Sequence, residues 1–227
     1  RIITSQHYRP DGSEDSYCFT DKHTHILDLT RSEEELWKNM EGRCRTAIRK
    51  ANNSGVTVDE MSDRKGIEKY YAILQQVYRS QNKPCPNPKR LYYDIWDNYG
   101  RKRAVFLSAR YNHSMIAGAI IIMDGKRAYY LNGVSKHEFR NLSASNLILW
   151  EAVRIARENG AERFDFVGSD IPRLAKFKKS FGGELSTHSC IEKACSRLFQ
   201  AIRNNYPVYK NKIGNIQRFF ENRIEKK

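Results

Sequence analysis

No run of about 18 apolar residues occurs in the 227 positions, so no segment is long and apolar enough to span a bilayer as a helix. No secretory signal pattern opens the chain. Arg1 stands in the middle of polar sequence, as in a fragment of a longer protein. Cysteine is sparse and odd in number: Cys18, Cys44, Cys85, Cys190 and Cys195, with no CxxC or Cys/His finger spacing. A disulfide framework or structural zinc site is thereby excluded, and a reducing compartment expected. His23 and His25 lie two apart on one strand face, and no third ligand accompanies them. They read as two surface histidines, and no metal is expected. Walker-type loops and Ser-His-Asp or Cys-His constellations are missing as well. Low-complexity composition is absent, since aromatics make up 11% of the chain and tyrosine alone contributes 13 residues.

What the chain has in excess is positive charge. Forty basic and 26 acidic residues give +14, with a pI near 9.6. That balance suits polyanions: nucleic acid, a phosphorylated substrate or an anionic membrane. It equally suits a merely basic surface.

Periodicity divides the rest. Residues 1–23 read as an irregular lead-in, and Thr24 to Leu29 as a short strand. Ser32 and Glu35 form a capping-box pattern ahead of one long helix, whose apolar face is Leu36, Met40, Cys44, Ala47, Ile48 and Ala51. Gly55 closes that helix, and a strand covers 56–61. Asp63 opens a second helix, which the cluster Pro84-Cys85-Pro86-Asn87-Pro88 ends. A third, aromatic-rich helix covers 89–98. Strands at 104–111, 115–123 and 127–134 form an antiparallel meander, with turns at Asn112-His113 and Asp124-Gly125. A buried helix at 144–159 links the meander to a strand at 163–167, a β-α-β crossover. A short helix at 171–180, a Gly182-Gly183 turn and a strand at 184–190 follow. The tail, residues 191–227, reads as helical and basic. It carries eight basic and two acidic residues from Arg197 onward.

Four stretches resemble one family. They are Arg45-Thr-Ala-Ile48-Arg49-Lys50-Ala51 before Gly55-Val56, Ala117-Gly118-Ala119 with Ala128-Tyr129-Tyr130-Leu131-Asn132-Gly133, Phe164-Asp165-Phe166-Val167-Gly168, and Phe177-Lys178-Lys179-Ser180-Phe181-Gly182-Gly183. In this order they resemble the C-terminal half of Fem-type, peptidoglycan-bridge transferases. The resemblance implies a GNAT-type α/β fold over residues 24–190, a mixed twisted sheet flanked by helices. It further implies a bacterial cell-wall enzyme, cytoplasmic and working at the inner face of the membrane. Such an enzyme adds an aminoacyl or acyl group to an amine on a phosphorylated or lipid-linked envelope precursor.

The candidate catalytic groups are Lys178 and the backbone near Asn132 and Gly133, where the strand could bulge and splay. Candidate substrate-binding groups are Arg45, Arg49, Lys50, Tyr130, Asp165 and Phe177. Arg140, Ser143 and Ser145 hold the place of the CoA-pyrophosphate loop, with Ser143 where CoA-using enzymes carry glycine. The donor is therefore aminoacyl-tRNA or acyl-CoA. Two alternatives stand beside this reading. One is an acyl-CoA N-acyltransferase acting on an amino sugar or polysaccharide. The other is a non-catalytic GNAT-like domain that binds RNA or envelope polymer. The basic tail could touch tRNA or lie peripherally on a membrane.

Overall fold

The structure, a computed structural model, describes residues 2–4, 17–100 and 103–193. The chain divides into two compact units. One comprises residues 23–81 and 85–186, and the other residues 1–22, 82–84 and 187–227.

The larger unit is built on one mixed sheet. Its strands are β2 (Tyr17–Asp28, of which residues 23–28 belong to this unit), β3 (Thr57–Glu60), β4 (Ala104–Tyr111), β5 (Ser114–Asp124), β6 (Arg127–Ser135) and β7 (Arg163–Asp165), in the spatial order β2-β7-β6-β5-β4-β3. All neighbours are antiparallel except β6 and β7. The parallel pair follows from the crossover through α5 (Ala144–Glu158). Helices α1 (Glu33–Asn39), α2 (Gly42–Asn53) and α5 cover one face, around Leu36, Ile48, Leu149 and Phe164. Helices α3 (Arg64–Ser80) and α4 (Lys89–Tyr99) cover the other, around Tyr70, Leu74, Tyr92 and Phe106. A 3-10 turn at His137–Leu142, which periodicity does not announce, leads into α5, and α6 (Pro172–Lys179) follows β7.

Local chemistry explains the elements. Ser32 and Glu35 do form the capping box: Glu35 N donates to Ser32 Oγ at 3.2 Å, and Ser32 N to Glu35 Oε2 at 2.8 Å. Asn112 and His113 both take positive φ, 46° and 62°, as a two-residue hairpin turn requires. Gly118 of β5 lets the Tyr70 ring lie on the sheet, since a Cβ there would stand 2.5 Å from that ring.

The expected single helix from Glu33 to Ala51 is two helices. Met40 is extended, at φ −65° and ψ 148°, and the turn Met40-Glu41 separates α1 from α2. Arg45 closes the break, its Nη1 donating to the carbonyls of Trp37, Lys38 and Met40. The apolar stripe survives the kink, since Leu36, Met40, Cys44, Ile48 and Ala51 are all buried. A guanidinium on helix-end carbonyls satisfies acceptors that would otherwise lack partners. Arg45→Ala is expected to lower stability by about 2 kcal/mol, from the lost charge-assisted bonds. In thermal unfolding that is a drop of roughly 4–8 °C.

In the smaller unit, β1 (Ile2–Thr4) pairs antiparallel with β8 (Glu184–Lys193) through Ile2↔Ile191 and Thr4↔Ser189. The lead-in is thus not irregular at residues 2–4, and the strand expected from Thr24 begins at Tyr17. The helical tail expected from Ser196 lies outside the described residues.

Candidate active site

β6 and β7 run side by side for three residues only. Arg127, Ala128 and Tyr129 face Arg163, Phe164 and Asp165. Beyond that point β6 continues to Ser135 while β7 has ended, so the two segments diverge. Among the described residues no strand pairs with this edge of β6 after Tyr129. Backbone donors and acceptors there face a wedge between β6 and the chain that follows β7.

One side of the wedge carries a β-bulge. Ile120 of β5 faces Asn132 and Ile121 faces Tyr130, so Leu131 is an extra residue. The irregularity expected at Gly133 exists, then, but stands at Leu131. Ala128 and Tyr130 pack with the α2/α5 face, whereas Val134 and Asn132 turn to the α3/α4 face. Asn132 Nδ2 donates to Tyr92 Oη at 3.3 Å. Tyr92 also bonds the Asn87 side chain, and Tyr71 Oη donates to the Asn87 carbonyl at 3.2 Å. Asn132 is thereby tied to the proline-rich α3–α4 loop. Gly133 is required for space: a Cβ there would stand 1.6 Å from Tyr130 Oη. The Tyr130 hydroxyl lies against this backbone, and burial pushes its pKa up.

The other side is the loop from Phe166 to Asp170. Val167 and Gly168 have φ of 49° and 67°. Left-handed backbone costs a β-branched residue about 1–2 kcal/mol. What it achieves is to aim two successive carbonyls at Lys178, whose Nζ donates to both. The loop is pinned from β2. Phe166 N donates to His25 O at 2.9 Å and Ser169 N to His23 O at 2.6 Å. The Asp165 carboxylate accepts from Thr24 Oγ1 and, at 2.8 Å, from Val167 N. His25 Nδ1 lies 2.8 Å from Ser169 Oγ, and Asp170 Oδ1 accepts from His23 N at 3.1 Å.

Lys178 is therefore no surface lysine, being only 6% exposed. Burial lowers its pKa to about 8, against the pull of Asp165 and then Asp170. His25 is lowered too, by burial first and then by Lys178 and Lys179. The reading of His23 and His25 as two surface residues fails for His25, which is buried at 4%. Among the described residues no group of three or more His, Cys, Asp or Glu is placed to hold a metal ion.

The remaining candidates fall in three places. Arg45 is engaged with α1, so its Nη1 cannot also grip a substrate phosphate. Arg49 lies over the Trp37 ring, 5.3 Å from its centroid, and Lys50 is exposed beside it. Phe177 meets Phe181 edge-on with centroids 5.3 Å apart, which makes it an anchor of α6 more than a contact for substrate. Ser143 holds a left-handed conformation (φ 55°, ψ 27°) at the cap of α5. Ser145 Oγ donates to Ser135 Oγ at 3.0 Å, and Arg140 is exposed. Asp165 and Lys178 thus belong to the loop side of the wedge and Tyr130, Asn132 and Gly133 to its β6 side, while Arg49 and Lys50 ride on α2 and Arg140, Ser143 and Ser145 stand at or near the start of α5.

Sequence reasoning missed Thr24, His25 and Ser169 on the loop side and Tyr92 and Asn87 behind Asn132. His25 was singled out as a surface residue, and Thr24 stood on the same expected strand beside Ile26. A second concavity of about 550 Å³ lies at the other end of β7, lined by Asp28, Arg31, Glu162, Arg163 and Glu184 among others. Its charges are partly engaged with one another or with neighbours, as in Arg31–Asp28 at 3.7 Å and Lys126–Glu162 at 2.5 Å. It offers no buried titratable side chain.

Residues 38–179 match the family described as Acetyltransferase (GNAT) domain. The chain is 37% identical over 79 residues to Lipid II:glycine glycyltransferase of Staphylococcus saprophyticus, which covers 31% of this chain and 19% of that relative. It is 34% identical over 59 residues to the protein of the same name from Staphylococcus haemolyticus, covering 26% of this chain and 14% of the relative. The matched stretches thus span less than a fifth of these curated relatives. A crystal structure of FemX superposes with a TM-score of 0.66 at 18% identity, covering 88% of this chain and 65% of that one. The C-terminal domain of a putative lysylphosphatidylglycerol synthetase from Agrobacterium fabrum superposes at 0.60 and 12% identity, covering 86% and 67%. These two share the fold. With the family match running unbroken from the end of α1 through the meander, α5 and β7 to the end of α6, the chain belongs to the GNAT acetyltransferase family.

Proposed function

We propose that this chain is the catalytic part of an N-acyl transferase that moves an aminoacyl group from an RNA ester to an amine of a lipid-linked envelope precursor. The observation that carries the reading is the buried Lys178, fixed on one side of a wedge whose other side is the strand edge at Asn132 and Gly133. The names of the curated relatives supply the acceptor class.

The chemistry follows from that placement. A neutral amine attacks the ester carbonyl, a C–N bond forms, and the carbonyl oxygen becomes an oxyanion. Backbone N–H groups of β6 near Gly133 and the Lys178 ammonium are the donors that stabilise it. The C–O bond to the ribose then breaks, and the departing oxygen takes up the proton shed by the amine. Arg49 and Lys50 hold the acceptor's diphosphate, Asn132 and Tyr130 fix the β6 side of the wedge from the two cores behind it, and Asp165 keeps the loop and Lys178 in place. At the donor side, Arg140 and Ser145 meet phosphate. The Cβ of Ser143 stands where close backbone approach to a pyrophosphate needs glycine. That favours an RNA ester over CoA. In this reading the protein works at the cytoplasmic face of the membrane.

The test uses the full-length protein with labelled aminoacyl-tRNA or acetyl-CoA and a lipid-linked muropeptide precursor. Label is expected in the precursor from aminoacyl-tRNA alone. Transfer from acetyl-CoA alone would establish the acyl-CoA enzyme instead. Salt-sensitive tRNA binding with no transfer from either donor would establish a binding domain.

A further inference from the structure

We propose that the segment from Val167 to Lys179 is a lipid-docking face that sets the mouth of the wedge on an anionic membrane surface. Seven large hydrophobic side chains of the described residues are prominently exposed, and four of them lie on the two segments that follow the last β6–β7 pair. Leu131 and Val167 each stand two residues beyond the last β6–β7 pair, Tyr129↔Asp165, so they flank the opening. They are each 41% exposed. Ile171, at 59%, opens α6, and Leu174, at 37%, follows it one turn later on the same side.

Between and beside these aliphatic groups stand Arg173, Lys176 and Lys179, all exposed. The one acid in the segment, Asp170, is engaged by His23. The face thus combines bare aliphatic side chains with cations that have no ion-pair partner among the described residues. That combination suits an anionic headgroup region, where cations meet phosphate and aliphatics enter the acyl boundary. An RNA partner would use the cations only. Single-stranded RNA is gripped by aromatic stacking, and none of the four exposed side chains is aromatic. The aliphatic side chains therefore select lipid.

Docking here would bring a lipid-linked acceptor to the wedge without its leaving the bilayer. That consequence rests on the transferase reading. The docking itself does not, and it is measured without substrate, so either can fail alone.

The experiment floats the full-length protein with vesicles of pure phosphatidylcholine, or of equal parts phosphatidylcholine and phosphatidylglycerol. Binding is expected to the anionic vesicles only. Ile171→Ser/Leu174→Ser should weaken it by about tenfold or more, as expected for losing aliphatic burial. Arg173→Gln/Lys176→Gln should weaken it roughly fivefold per charge and flatten its salt dependence. Unchanged flotation in both variants would overturn the proposal, because another segment would then be carrying the binding. So would a loss of thermal stability in the Ile171→Ser/Leu174→Ser variant, which would mean that the chain itself covers this face. A shift from dimer to monomer in that variant, or a loss of tRNA binding with flotation intact, would overturn it equally.

Discussion

Lys178→Met is expected to reduce transfer by about a hundredfold or more, the usual scale for deleting one preorganised oxyanion donor. The measurement is kcat/KM for the aminoacyl donor, with circular dichroism to show that the fold persists. The pH profile adds a signature that a structural lysine would not give. With a pKa lowered to about 8, the ammonium is largely present at neutral pH and lost above pH 8. The rate gains with pH while the acceptor amine, ordinarily at about 8 to 10.4, loses its proton, so the wild-type profile should stop rising near pH 8, where Lys178 begins to lose its own. In Lys178→Arg whatever activity remains should keep rising past pH 8, because a guanidinium stays charged. Stability moves in the opposite sense. An ordinary lysine in the unfolded chain titrates near 10.5, so between about pH 8 and 10.5 the unfolded chain binds the extra proton and folding strengthens as pH rises. Below pH 8 the cost of the buried ammonium is fully present. Wild-type transfer rates in Lys178→Met would reduce the residue to a fastener for the Val167–Asp170 loop.

Gly133→Ala carries the second large effect. Its methyl group would stand 1.6 Å from Tyr130 Oη and 2.5 Å from Cζ, so the Tyr130 side chain must leave its place. Overpacking of this kind costs about 1–3 kcal/mol. The strand edge proposed to hold the oxyanion would shift with it, and transfer should fall together with stability. Urea unfolding of Gly133→Ala, Tyr130→Ala and the double variant separates the causes. If the clash dominates, Gly133→Ala should cost little once Tyr130 is already alanine. Additive costs would mean that Gly133 matters for its own backbone conformation instead.

Much of the fold was legible because its devices are local. The capping box at Ser32, the Asp63 cap, the Asn112-His113 turn and the apolar faces of α3 and α5 each depend on residues a few positions apart. The two-helix break at Met40 was not legible. The apolar spacing runs straight through it, and the kink is stabilised by Arg45 reaching back across the turn. The site divides the same way. The motif around Lys178 marked the right residue, yet its burial could not be read from the flanking Lys176 and Lys179. Burial comes from Val167 and Gly168, which adopt left-handed backbone only because β2 holds the loop through His23, Thr24 and His25. Those contacts join residues more than 140 positions apart. Arg45 shows the reverse case. As a basic residue in a family-like motif it looked available to substrate, and its role became visible only with the neighbouring carbonyls in place.

Leu131 has a consequence beyond local geometry. A strand assigns its side chains by odd and even count, and one surplus residue exchanges the two sets from that point on. β6 therefore serves two cores in succession, first the α2/α5 layer through Ala128 and Tyr130, then the α3/α4 layer through Asn132 and Val134. The leucine side chain itself stands exposed, outside both cores. What the chain cannot do without is its presence as a spacer, since the parity of β6 decides whether Asn132 reaches Tyr92 or faces the wrong half of the molecule.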